Sequence, residues 1–103
     1  MIGNFVFSSA AHPNDILVQL GVSDRGESTA HLIVPEAVKI AMVRSQYPVL
    51  DGIMSAESAL SYALFLAIRS GRSLIISGER QAWDPAWGQL IDARSLRPAM
   101  ALT

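Results

Sequence analysis

The chain is 103 residues long, with a hydrophobic fraction of 50% and a charged fraction of 17%. This length suits one domain with a single core, and the apolar, charge-poor composition excludes an intrinsically disordered chain. The net charge of −1 provides no field that would steer the chain toward nucleic acid or an anionic membrane, and the absence of cysteine excludes disulfides and thiolate metal sites.

The first third of the chain predicts three strands. Residues 4–8 combine aromatic and β-branched side chains, which suit a pleated strand, and residues 9–15 collect turn-forming residues. Residues 16–22 are nearly all apolar, which indicates a strand in the middle of a sheet. Because 29–34 follows as a further strand after a polar loop, residues 16–34 are predicted to form a β-hairpin.

A first helix is predicted after the hairpin. Pro35 and Glu36 suit the first helical turn, where proline loses no hydrogen bond and a carboxylate interacts favourably with the helix dipole. Residues 37–46 would continue that helix. The stretch 38–43 also fits a strand with every second apolar side chain on one face, so helix is favoured here and strand stays open as the alternative.

The strongest local pattern runs through residues 55–77. Ser55 is a good N-cap, Gly71 suits a left-handed C-terminal stop, and a turn at 50–52 is expected to lead into the helix between them. Apolar side chains cover most of the circumference of that helix, so we expect other elements to surround it almost completely. Residues 72–77 then predict a short apolar strand.

The last quarter of the chain predicts one more helix. Residues 78–81 form a polar connection, and Asp84 followed by Pro85 is typical of an N-cap and a first helical position. We expect this helix to extend to about Arg94, with its apolar side chains on one face. The tail after about residue 97 carries no clear pattern.

These elements predict an α+β fold in the order β-β-β-α-α-β-α. Such an order is satisfied by one small, mainly antiparallel sheet with the helices packed on one face. No repeat, low-complexity tract or linker divides the chain, so residues 1–103 are expected to form a single globular domain.

Trp83, Trp87 and Arg80 form the first candidate site. Tryptophan and arginine are over-represented among residues that dominate binding energy, and these three lie at the junction between a polar connection and the predicted last helix. The alternative interpretation is structural, because Trp87 can pack against the apolar face of that helix and Trp83 can cover its entrance. Both interpretations stay open.

The loop that contains His12 and Asp15 is the second candidate site. A histidine beside a carboxylate is a pairing used in general acid–base catalysis, and loops after strands are a usual place for it. His31 lies in a predicted strand and could join His12 in a metal pair if the two segments were neighbours. The spacing matches no catalytic or metal-binding motif, and turn formation explains the loop equally well, so we predict no metal and no cofactor.

The sequence favours a small non-catalytic protein-binding module. We expect a regulator, an inhibitor or immunity protein, or an adaptor that binds another protein, or a second copy of itself as a homodimer, through an apolar, tryptophan-containing surface. The alternative is a small enzyme or ligand-binding domain that uses the His12–Asp15 loop, in one version across a dimer interface. No stretch is long and apolar enough to span a bilayer and no signal peptide is visible, so a cytoplasmic location away from membranes is expected.

Overall fold

Six strands and two helices make up the part of the fold that the structure describes. The structure is a computed structural model and describes residues 4–9, 14–45 and 52–92. In chain order the elements are β1 (Asn4–Phe7), β2 (Ile16–Val22), β3 (Ser28–Ile33), α1 (Glu36–Arg44), β4 (Gly52–Ser55), α2 (Ala56–Ser70), β5 (Leu74–Gly78), two 3₁₀ turns (Arg80–Ala82 and Pro85–Trp87) and β6 (Gln89–Asp92).

The strands form one mixed sheet in the order β4-β3-β2-β5-β1-β6. β3 is antiparallel to both β2 and β4, whereas β2, β5, β1 and β6 run parallel to one another. The α+β class and the interior position of β2 are therefore confirmed. The expected mainly antiparallel sheet is matched only in part, because two of the described strand pairs are antiparallel and three are parallel. The reason is that α2 carries the chain from β4 to β5, and segment 79–88 carries it from β5 to β6, as crossovers between strands of the same direction.

Both predicted helix assignments in the middle of the chain are confirmed. The stretch that also fitted a strand is helical, since α1 spans Glu36–Arg44. Helix α2 begins after Ser55, whose hydroxyl oxygen accepts the Ser58 N–H at 3.2 Å, and it ends at Gly71 with a φ of 70°. These are the N-cap and the left-handed stop that the sequence predicts.

The expectation that other elements would surround α2 is wrong. Its residues Leu60, Ala63 and Leu66 are buried, but Ile68 on the outer side is 79% exposed and Phe65 is 37% exposed. The helix lies on one sheet and touches α1 on one side, so the rest of its circumference has no described element to pack against.

Two elements at the edges of the sheet differ from the prediction. Residues 52–55, expected to be a turn and a cap, form the edge strand β4, and the predicted last helix is a single 3₁₀ turn followed by β6. Asp84 does act as a cap, because its carboxylate accepts the Ala86 N–H at 2.9 Å. The turn then stops at Gly88, whose φ of 131° is incompatible with a helix. The remainder of the predicted helix and the tail lie outside the described residues.

One face of the sheet, called the helical face below, carries the core. Val18, Leu32 and Ile76 lie in register on this face and are fully buried beneath α2, and α1 adds Val38 and Met42. The prediction that the helices pack on one face is confirmed. Neither α1 nor α2 has the length and apolarity that crossing a bilayer demands.

Candidate functional site

The two tryptophans pack on the helical face of the sheet, beside the area that α2 covers. The ring of Trp83 lies edge-to-face against Phe5 of β1 and against Trp87, with 5.2 Å between centroids in each pair. Its indole Nε1–H donates to the carbonyl oxygen of Gly88 at 3.0 Å. Both tryptophans are half-buried against the core. Most of their contact surface is therefore used within the chain itself.

Arg80 fastens the same segment to the ends of β1 and β6. Its guanidinium donates to the carboxylate of Asp92 at 3.1 Å and lies 4.7 Å from the ring centroid of Phe7. Both partners of the ion pair are about half exposed, so its contribution to stability is at most about 1 kcal/mol. The structure thus brings the three predicted partner-binding residues into one segment, and their visible contacts tie that segment to the sheet.

The second predicted site is only partly within the described residues. His12 lies outside them. Asp15 immediately precedes β2, while His31 lies in the middle of β3 and pairs with Gln19. Four residues of strand separate positions 15 and 19, about 13 Å, so Asp15 and His31 are not neighbours. Within the described residues no three His, Asp or Glu side chains are grouped to hold a metal ion, and a role for His12 stays a prediction.

The other side of the sheet has no described helix or strand packed on it, and we call it the open face. Its side chains alternate along each strand with those that face the core. The open face is defined by Val6, Leu17, Gln19, Gly21, Thr29, His31, Ile33, Ile53, Ile75, Ser77, Gln89 and Ile91.

An apolar row crosses the open face from one strand to the next. Ile33, Leu17, Ile75, Val6 and Ile91 stand in register on β3, β2, β5, β1 and β6. Ile33 is 39% exposed and the other four are half-buried. Five branched aliphatic side chains therefore stand side by side along about 19 Å of sheet, at the usual strand spacing.

The open face carries no formal charge. The sequence has eight Lys and Arg and nine Asp and Glu, yet none of the strand residues that define this face is one of them. A sheet face that only meets water usually alternates apolar positions on the core side with polar and charged positions outside. Here the five residues of the apolar row place aliphatic side chains on the outer side as well as on the core side.

A polar row lies beside the apolar one. His31, Gln19 and Ser77 are in register on β3, β2 and β5. Ser77 is 7% exposed, and its hydroxyl has no hydrogen-bond partner. An unpartnered buried hydroxyl costs about 1–3 kcal/mol, which is why such groups are rare in folded proteins.

We expect the Ser77→Ala variant to be as stable as the natural chain or more stable, by up to about 1 kcal/mol, because it removes a buried group without a partner. Urea unfolding followed by tryptophan fluorescence measures this. The matched control is Ser28→Ala, which removes a hydroxyl that donates to the carbonyl oxygen of Ala82 at 2.9 Å and should cost about 1 kcal/mol. A loss of more than 1 kcal/mol in the Ser77 variant would contradict the structure at this position.

Sequence reasoning missed the open face as a unit. The sequence does contain a signal for this face. Leu17, Ile33 and Ile75 each stand two residues from a polar side chain in a predicted strand, which puts each of them on the same face as that polar side chain. What the sequence does not show is which strands are neighbours, and only the pairing of β2, β5 and β1 turns separate aliphatic residues into one row.

Comparison with known proteins leaves the function to be argued from this geometry. No protein-family model matches the chain, and neither a curated protein nor a solved structure matches it.

Proposed function

We propose that this chain is a non-catalytic protein-binding module, such as a regulator, an inhibitor or an adaptor, and that the open face is its binding surface. The observation that carries the proposal is the apolar row, five aliphatic side chains in register on a face that bears no charge. Contiguous exposed apolar patches are rare on monomers and mark surfaces that other proteins cover.

The chemistry of the open face favours protein over nucleic acid. Nucleic-acid binding draws on Lys and Arg that neutralise phosphates, and no strand position on this face provides one. A protein partner instead gains from removing aliphatic side chains from water, at roughly 25 cal/mol for each Å² of apolar surface buried.

The tryptophan surface is given a different role in this proposal. Trp83 and Trp87 lie on the opposite side of the sheet from the apolar row, where Trp83 packs against Phe5 and Trp87 packs against Trp83. We assign them to holding β1 and β6 in place beneath the binding surface. That assignment extends the packing interpretation that the sequence left open.

Site-specific photo-cross-linking tests the position of the binding surface. A photoreactive phenylalanine derivative at Ile53, on the open face, should give one discrete protein adduct in cells that naturally make the protein. The matched control is Ile68 on the outer side of α2, because both residues are 79% exposed. We expect an adduct yield at least tenfold lower at Ile68.

Adducts at Ile68 with none at Ile53 would place binding on the helices and overturn the proposal. The absence of any discrete adduct at Ile53 would overturn it as well. Circular dichroism of both labelled proteins verifies that they are folded.

A further inference from the structure

We infer that the partner at the open face is a second copy of this chain, packed sheet against sheet about a two-fold axis. This inference rests on the proposed function and names the partner of the same surface. The resulting dimer has four layers, with the helices outside and two sheets in contact at the centre.

The direction of the strands shows that the open face needs a cover. β2, β5, β1 and β6 are parallel, and parallel strands are almost always buried on both faces. In the described part of the chain, α1, α2 and segment 79–88 all lie on the helical face. Four of the five residues of the apolar row stand on these parallel strands and Ile33 stands on the neighbouring antiparallel strand β3, so the apolar side chains lie on the face that needs a cover.

The absence of charge points to a copy of the chain as the cover. Interfaces between different proteins use complementary charges to select the partner and suppress others. Strand positions without Lys, Arg, Asp or Glu provide no such selectivity, and they present no like charges to each other when the face meets its own copy. An interface made by the same patch on both subunits is the commonest arrangement in oligomers.

Two-fold symmetry matches the row to its own copy. The apolar row extends equally to both sides of Ile75, with Leu17 and Ile33 on one side and Val6 and Ile91 on the other. A two-fold axis that lies midway between the two sheets and passes over Ile75 places the apolar row of one copy on the apolar row of the other. Sheets packed in this way lie about 10 Å apart, which aliphatic side chains from both faces fill.

The size of the open face limits how much surface the dimer can bury. Six strands about 4.8 Å apart and about five residues long cover roughly 400 Å² in flat projection, before the relief of the side chains is added. Stable specific interfaces bury about 600–1,000 Å² on each partner. The projected area is below that range and the relief of the side chains brings it at most to the lower end, so we expect a weak, reversible dimer with a dissociation constant on the order of micromolar.

Sedimentation velocity of the full chain from about 1 to 300 µM tests the inference. We expect a reversible monomer–dimer equilibrium with its midpoint in the micromolar range. Ile33→Lys should raise the dissociation constant at least tenfold, because each of the two subunits then places one ammonium group in an apolar interface. Ile53→Lys, at a position that is more exposed and outside the row, serves as a second variant that leaves the core untouched.

The matched control is Ile68→Lys on the outer side of α2, which should leave the dissociation constant within twofold of the natural value. A natural chain that stays monomeric up to 300 µM overturns the inference, and so does a dimer that Ile68→Lys disrupts and Ile33→Lys does not. The two proposals fail separately. An Ile53 cross-link to a different protein, with the chain itself monomeric, overturns the second copy and leaves the open face as a binding surface.

Discussion

Replacing Gly78 by alanine is expected to lower the free energy of unfolding by about 4 kcal/mol, a large effect for one added methyl group. Gly78 ends β5 with a φ of 86°, in the left-handed region that L-residues rarely adopt. A Cβ at this position would lie 2.7 Å from the backbone nitrogen of Leu20 and closer still to its carbonyl oxygen.

Leu20 has no room to move away. Its side chain is 4% exposed in the core, and its carbonyl oxygen accepts the Glu79 N–H at 3.0 Å. Backbone strain and steric overlap therefore add at one residue, each costing about 1–3 kcal/mol. Urea unfolding with tryptophan fluorescence measures the loss, and a variant that does not fold at all agrees with it.

Gly71→Ala is the matched control, because Gly71 has a similar φ of 70° but nothing within 4 Å of its Cβ position. It should cost only the strain of the left-handed conformation, about 1–2 kcal/mol. If the two variants cost the same, the close approach between Gly78 and Leu20 is wrong, and with it the register of β2 against β5.

The interior elements of this fold were predictable because their determinants are local. Ser55 and Gly71 each act on backbone groups within four residues, so the limits of α2 follow from the sequence alone. The hairpin of β2 and β3 is likewise formed by residues on either side of one short loop. In both cases the interacting groups are close in the chain.

The edge strands could not be predicted in the same way. β4 and β6 are four residues each, too short for a clear periodicity, and they exist because β3 and β1 offer them an edge. Asp84 and Pro85 did start a helical turn, and the positive φ of Gly88 then ended it after one turn. A glycine in the sequence indicates that a positive φ is allowed at its position, but not that the folded chain adopts it.

The excess of apolar residues pointed to a covered surface but not to its position. The sequence directed attention to Trp83 and Trp87, since tryptophan is the residue most enriched at binding sites. In the structure Trp83 already packs against Phe5 and Trp87 and donates a hydrogen bond to Gly88. A single aliphatic residue of the apolar row does not indicate a binding site in the sequence. The row exists only because strands that are distant in the chain pair with each other and place these residues side by side.

Trp83→Ala is expected to destabilise the fold by about 3 kcal/mol, because it removes a half-buried ring that joins Phe5 of β1 to Trp87 and leaves the Gly88 carbonyl without its indole donor. Trp83→Phe should cost less, about 1–2 kcal/mol, since it keeps an aromatic edge against Phe5 and loses the hydrogen bond. Urea unfolding followed by circular dichroism measures both, because the substitution alters the fluorescence.

These variants also separate the two roles that the sequence left open for Trp83. If the residue supports the sheet from the helical side, the fraction of Trp83→Phe that is folded should self-associate with the same dissociation constant as the natural chain. Ile33→Lys should behave in the opposite way, with weakened association and nearly unchanged stability, since Ile33 lies on the open face away from the core. A Trp83→Ala protein that keeps the natural free energy of unfolding but no longer binds its partner would show that the tryptophans form the binding surface.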